Sequence, residues 1–324
     1  MRRIGVAILC YEGFADLVRC LKSIKANTQM PAAEIDIFVF DNSEKTTDIK
    51  THVQPMSDVT YMTLGENVGC TRSRNEILKK YIERNPDGEY LVIMDQDIEV
   101  RPNWLSDMIE VAQLNERCGI VAWPQAYRFK QSPVNGVVSE VASMCNMHRI
   151  APLIEATNRW GGPFDTRFFF HKFDSLICQR LNQLGWRTHL VTKYYRGDRD
   201  WDHQPGGIIH HHPHQGVRRY PGFLDVFAKS KQLYKKLQRS EGWKPWYPNA
   251  KSQPQPQPQR WEKAPTDGIP RRFIKVPPRT PKRHQVHVQA EVKPKPGVNA
   301  HPRRTPVRTL QQLLRIRQQK QQRR

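Results

Sequence analysis

An α/β domain with a mostly parallel central sheet, followed by a basic tail without a core of its own, is what this sequence predicts, on three observations. Short apolar runs lie at residues 4–10, 35–40, 59–64 and 91–94, and the last is unbroken by charge, as in a strand covered on both faces. Stretches with apolar residues at helical spacing lie between them, and strand alternating with helix is the pattern of a parallel sheet. The composition then changes near residue 240. Residues 241–324 hold 20 Lys/Arg against 4 Asp/Glu, a net +16, whereas residues 1–240 carry only +5. The same tail has 14 of the 25 prolines and a Gln-Pro alternation over 253–259. Such a composition cannot bury enough apolar surface to fold alone. The domain is therefore expected over 1–240 and a disordered tail over 241–324.

Composition also narrows the function classes. The six cysteines (Cys10, Cys20, Cys70, Cys118, Cys145 and Cys178) are scattered, with no CxxC pair, and read as reduced, mostly buried thiols. No segment reaches the roughly 18 consecutive apolar residues of a membrane span, and the first strand pattern is too short for a secretory signal. A cytoplasmic protein is expected. No GxGxxG follows the first strand, so a nicotinamide or flavin enzyme loses its best support.

The elements follow in order. Residues 4–10 and then Leu17, Val18, Leu21 and Ile24 at helical spacing predict a strand, a turn and a helix. The strand at 35–40 ends at Asp41-Asn42-Ser43, where Asp41 suits either hydrogen bonds to a ribose or base, or a turn. After the strand at 59–64, a turn at 65–69 leads into a helix over 71–82 that opens with Arg72 and Arg74. Free N–H groups at a helix start, with guanidinium forks beside them, suit a phosphate. The strand at 91–94 delivers Asp95 and Asp97. In an extended chain, positions i and i+2 share a face, so both carboxylates would point together from the strand's carboxyl end while Gln96 points away. Open α/β sheets bind ligands at that end, and a divalent cation with a phosphate would account for the pair, the alternative being two solvated loop acids. A helix over 104–114, a strand over 119–123 and a longer strand over 137–147 complete the sheet pattern.

In this order, the first strand, Asp41-Asn42-Ser43, the run from Glu66 through Arg74 to Asn75, and the run from Tyr90 to Asp97 resemble family-2 glycosyltransferases of the GT-A fold, especially the rhamnosyltransferase-like members. Trp160-Gly161-Gly162-Pro163-Phe164-Asp165-Thr166-Arg167-Phe168 resembles the family's Gly-Gly-Phe-Asp-x-x-Phe segment on the acceptor side. Phe173-Asp174-Ser175-Leu176, continuing to Arg180-Leu181, resembles its Glu-Asp-x-Asp-Leu-x-x-Arg-Leu helix start. Phe173 stands where the family has Glu, and Leu176 where it has a second Asp, so Asp174 alone of three acids remains. The resemblance covers about residues 3–225.

It implies a three-layer α/β/α domain. The implied reaction is metal-dependent, inverting transfer of a sugar from a nucleotide-diphosphate sugar to a hydroxyl of a glycan, a lipid-linked sugar or a protein. Asp41 and Asp95 would hold the base and ribose, with Tyr11, Asn67, Gly69, Arg72 and Arg74 completing the donor cradle. Asp97 would ligate Mn²⁺ or Mg²⁺ on the diphosphate. Asp174 would be the general base, the alternative being an N-cap of its helix. Trp160, Gly161, Gly162 and Asp165 would line the acceptor side, Trp160 either stacking on a sugar or simply buried. The strand-like Ile208-Ile209 would deliver His210 as a further metal ligand, with His212 on the same strand face. A separate Zn²⁺ site and a solvated loop are the other uses of these histidines.

Two rival classes stand beside this reading. One is a degenerate sugar-nucleotide or glycan binding protein, suggested by Phe173 and Leu176. The other is a transferase acting on, or tethered to, nucleic acid through the tail. In that tail Leu310, Leu313, Leu314 and Arg317 fall at helical spacing, predicting a short basic amphipathic helix near 307–317. Its partner would be an anionic membrane surface, making the enzyme peripheral, or a nucleic acid; simple solubilisation is the third use.

Overall fold

The four apolar runs of the first hundred residues pair side by side. In the computed structural model, β1 (Arg2–Cys10) lies between β2 (Ala33–Asp41) and β4 (Tyr90–Asp95), and β3 (Val59–Thr63) adds outside β2, all in parallel. Beyond β4 comes β8 (Cys145–Arg149), antiparallel to both neighbours, then β6 (Cys118–Ala122), β9 (Arg187–Leu190) and the short β7 (Val137–Val138). The structure describes residues 2–30, 33–44, 47–124, 136–193, 207–210 and 222–242, all within one compact unit. The tail from 243 on, including the helix expected near 307–317, lies outside the described residues.

Helices cover both faces, and side-chain alternation along the strands decides which. Gly5 and its neighbour Leu91 face α3 (Gly69–Arg84): a Cβ on Gly5 would stand 2.7 Å from Tyr81 of that helix. Glycine is thus what lets the Tyr81 ring lie flush on β1. Met94, of opposite parity, faces α1 (Phe14–Asn27), its Sδ 3.7 Å from Cys20 Sγ. α4 (Trp104–Leu114) is tied to the end of α1 through Trp104 Nε1, which donates to Thr28 Oγ1 at 3.0 Å. α5 (Ile150–Trp160) packs on β8, and α6 (Phe173–Gln183) packs on α5 and β9. The expected three-layer GT-A-like domain is the observed one. No described helix is long and apolar enough to cross a membrane.

Several elements depart from expectation, three of them longer than a few residues or changing the sheet. Residues 137–147 do not form one strand: Val137–Val138 pair with β9, while 145–149 crosses to a place between β4 and β6. Residues 139–144 must leave the ladder to make that change of partner, and the polar Ser139, Glu140 and Ser143 sit in the break. The other two are helices that the sequence reading did not anticipate. In α5, Ile150, Leu153, Ala156 and Thr157 form a buried stripe at helical spacing, and Pro152 falls in the first turn, where a missing N–H costs nothing. The second is α7 (Phe223–Ser240).

Candidate active site

β4 ends at Asp95, and the chain turns there instead of running on extended. The i, i+2 alternation therefore does not place Asp95 and Asp97, because residues 96–97 form a turn before β5 (Ile98–Val100) begins. Asp95 keeps 41% of its side chain open, whereas Asp97 is only 8% exposed. Gln96, expected to point away, is buried and acts as a clasp. Its Oε1 accepts from Tyr11 N at 3.1 Å, and its Nε2 donates to Tyr11 O at 3.3 Å and Glu12 O at 2.7 Å. β5 pairs antiparallel with β10 (Ile208–His210), which sets the His210 backbone opposite Ile98, the residue after Asp97. His212 lies outside the described residues.

The polar residues expected on the donor side are largely closed on one another. Asp41 is fully buried; one carboxylate oxygen accepts from Ser43 N at 3.0 Å and the other from Tyr61 OH at 3.0 Å. The turn use of Asp41 is thus realised in the structure. Asn42, not singled out from sequence, is the centre of the cradle: its Oδ1 accepts from Val68 N at 2.9 Å and its Nδ2 donates to Asn67 Oδ1 at 2.8 Å. Asn67 Oδ1 also accepts from Gly69 N at 3.0 Å. The signal for Asn42 was there, since an amide at the carboxyl end of a parallel strand is where a loop needs fastening.

The two arginines of α3 part company. Arg72 lies in solvent, 3.8 Å from Glu66. Arg74 is 1% exposed and points inward, donating to Cys70 O and Ser143 O, each at 3.2 Å, and to Asp95 Oδ1 at 3.4 Å. Its guanidinium also lies 4.6 Å over the Phe173 ring. The free helix N-terminus expected to hold a phosphate is not free. Gly69 N serves Asn67, and Cys70 N donates to Phe169 O at 2.6 Å. Gly69 has φ +76°, and a Cβ there would stand 2.7 Å from that same carbonyl oxygen, so glycine is required twice over.

The acceptor-side segment is thereby stitched to α3, with Thr71 Oγ1 also donating to Phe168 O. Asn75 makes a two-way amide bond with Phe164, donating to its oxygen at 2.7 Å and accepting from its nitrogen at 3.3 Å; Gly162 lies beside that side chain. Gly161 is the left-handed C-cap of α5. Trp160 has guanidinium groups of Arg159 and Arg180 each 5.0 Å from its ring. Asp165 accepts from Arg167 at 2.5 Å and from Arg180 at 3.2 Å, and Arg180 donates in turn to Glu241 at 3.0 Å. Burial pushes the Asp165 carboxyl up, but the Arg167 hydrogen bonds and the charges of Arg167 and Arg180 outweigh it and hold it below the ordinary value.

Asp174 sits in the first turn of α6 but is not its N-cap. That position is Lys172, in left-handed conformation and without a side-chain capping bond. Asp174 Oδ1 accepts from Ser175 N at 2.8 Å. Burial raises the pKa of the Cys70 thiol, Arg74 opposes, and Asp95 and then Asp174 push it further up.

The family model described as Glycosyl transferase family 2 matches residues 5–170, just over half of the chain. Among solved structures, GalNAc-T7 with UDP, GalNAc and Mn²⁺ is similar at TM-score 0.52 and 14% identity, covering 72% of this chain and 48% of that one. S. aureus TarS 1-349 in complex with UDP is similar at TM-score 0.43 and 18% identity, covering 59% of this chain and 57% of that one. The mannosyltransferase PcManGT from Pyrobaculum calidifontis, in complex with GDP-Man and Mn²⁺, is similar at 0.45 and 19%, covering 59% and 55%. This chain spans less than two thirds of each of these structures. No curated protein matches it.

Proposed function

Because the chain belongs to glycosyl transferase family 2, we propose that it transfers a sugar, with inversion, from a nucleotide-diphosphate donor to an acceptor hydroxyl. The observation that carries the proposal is Arg74. Buried in the core, it touches the Asp95 carboxylate on one side and the Phe173 ring on the other, so the donor-side acid and the helix that begins Phe173-Asp174 are held in one assembly. Asp174 takes the proton of the acceptor hydroxyl as its oxygen attacks the anomeric carbon. A carbon–oxygen bond forms on one face of the sugar while the bond to the diphosphate breaks on the other. The proton ends on the carboxylate and the electron pair on the departing diphosphate.

Asp95, at the carboxyl end of a parallel strand, faces the donor, where open sheets bind nucleotides. Asn42, Asn67 and Gln96 keep the loops around the nucleotide in place, and Tyr11 follows β1 at the rim. Arg72, the solvent-facing arginine of the pair, is the one placed to meet a phosphate. On the acceptor side Trp160, Gly161, Gly162 and Asp165 shape the wall.

The residues also fit a divalent cation. Among the described residues no three His, Cys, Asp or Glu side chains gather around one position. Asp97 and Asp95 nevertheless flank one turn with hard oxygen donors suited to Mn²⁺ or Mg²⁺, and the antiparallel pairing of β5 with β10 brings the His210 backbone to the same turn. We assign the metal to Asp97 with His210, and His212 as its alternative. When bound, the cation supplies charge neutralisation for the leaving diphosphate. The domain closes with α7, whose last turn is tied back through Glu241 to Arg180.

Incubation with UDP-, GDP- and dTDP-sugars, with Mn²⁺ and with chelator, tests this directly through release of nucleoside diphosphate. One donor is expected to be consumed, and both chelator and Asp97→Asn are expected to stop it. Nucleotide-sugar binding without turnover would instead identify a binding protein that has lost its chemistry.

A further inference from the structure

We propose that the outer face of α7 is a docking surface for an anionic lipid leaflet. The proposal stands apart from the transferase reading, because it rests on how this helix is built and held.

Its inner face is braced against the segment that leads into α6. Phe223 stacks on Phe170 at 5.2 Å, and Phe227 on His171 at 4.0 Å. Lys172 lies 5.3 Å over the Tyr234 ring. Arg180 and Glu241 fasten the far end at 3.0 Å. The helix therefore presents a fixed outer face. That face is basic: Lys229, Lys231, Lys235, Lys236 and Arg239 are exposed, with Asp225 the acid among them. Lys231 lies over the Phe227 ring, while Lys229, Lys235, Lys236 and Arg239 have no acidic partner among the described residues. Lys235, Lys236 and Arg239 crowd one turn around a cleft of about 530 Å³ that they share with Gln232 and Ser240. Like charges at that spacing repel, and an anionic surface removes the cost.

A polynucleotide would satisfy the charges but not the rest of the face. Leu224 is 76% exposed. It stands seven residues before Lys231 and eleven before Lys235, and so in one row with them along the helix. A phosphate backbone has nothing to offer a leucine. A leaflet accepts both, the leucine entering the acyl boundary and the lysine stems lying along it with their ammonium groups among the headgroups. Docked in this way, the leaflet would lie beside the helix that carries Asp174.

The test is co-sedimentation of the full chain with vesicles of phosphatidylcholine alone and of phosphatidylcholine containing about one third phosphatidylglycerol, with retention on duplex DNA as the companion measurement. Two variants leave the basic tail untouched: Lys229→Gln/Lys235→Gln/Lys236→Gln/Arg239→Gln, and Leu224→Ser. All five positions are exposed, and far-UV circular dichroism is expected to be unchanged. The fourfold variant is expected to partition onto anionic vesicles at least about tenfold more weakly, with little change on phosphatidylcholine alone. Leu224→Ser is expected to weaken vesicle binding several-fold, as lost apolar burial requires, and to leave DNA retention alone. Unchanged vesicle binding in the fourfold variant overturns the proposal and leaves the tail as the sole anionic contact. A Leu224→Ser protein that binds vesicles as the parent does overturns it in favour of a general polyanion surface. If the fourfold variant misfolds, Lys235→Glu/Lys236→Glu is read by the same criteria.

Discussion

The two walls of the candidate site are fastened by different forces. On the side expected to hold the donor, two side-chain amides and one carboxylate close short loops on one another: Asn42 with Val68 and Asn67, Gln96 with Tyr11 and Glu12, and Asp41 with Ser43 and Tyr61. On the side expected to meet the acceptor, charges and rings add to the hydrogen bonds from Asn75 and Thr71: Asp165 with Arg180, Arg180 with Glu241, and Phe170 with Phe223. A buried amide network has directional bonds and holds one geometry, as a nucleotide cradle requires. Arg74 touches Asp95 on the one side and the Phe173 ring on the other.

This contrast is open to direct attack. The largest expected effect is that of Asp174→Asn, which should lower turnover by on the order of 10² to 10⁴ with donor affinity nearly intact. Asparagine still offers an oxygen to Ser175 N, so the melting temperature should hold; a fall in melting temperature with turnover unchanged would make Asp174 structural. Next comes Arg180→Met. It leaves the buried Asp165 carboxylate with Arg167 alone and unties Glu241, and should cost about 3 kcal/mol in denaturant unfolding. Nucleotide affinity should stay at the parent level, because the damage is confined to the acceptor wall. Asn42→Ala should cost roughly 1–3 kcal/mol by stripping Val68 N of its acceptor. Here nucleotide affinity should fall as well, and equal losses of affinity in Arg180→Met and Asn42→Ala would erase the distinction between the walls.

The smallest effect is on pH dependence. Burial and the nearby Arg74 charge push the imidazole of His148 down to about 3, and burial with Arg187 pushes that of His189 down to about 4. Each is neutral in the fold and takes up a proton more readily once unfolded, near the ordinary 6.5. Their stabilisation is therefore complete above that ordinary value and is lost as pH falls from it toward the folded values. Each histidine should contribute a slope of roughly 1 kcal/mol per pH unit across that window. Melting curves between about pH 7.5 and 5 should show it, with a shallower slope in His148→Leu.

The sequence by itself determined β1 to β4, because a short, mostly apolar run has few other uses than a strand covered on both faces. It also placed the helix after Pro102 and the short strand at Ile208-Ile209. What it left undecided were matters of partnership. Whether residues 137–147 make one strand or two depends on which neighbours lie on either side, and those come from 90–95, 118–122 and 187–190. Whether Arg72 or Arg74 reaches solvent depends on Cys70, Ser143, Asp95 and Phe173 converging on a single guanidinium. Whether the start of α3 is free for an anion depends on a carbonyl a hundred residues away, at Phe169. Local spacing fixes what a side chain is able to offer, but hydrogen-bond partners and charge neighbours are set by chain segments distant in sequence, and only the folded packing brings them together.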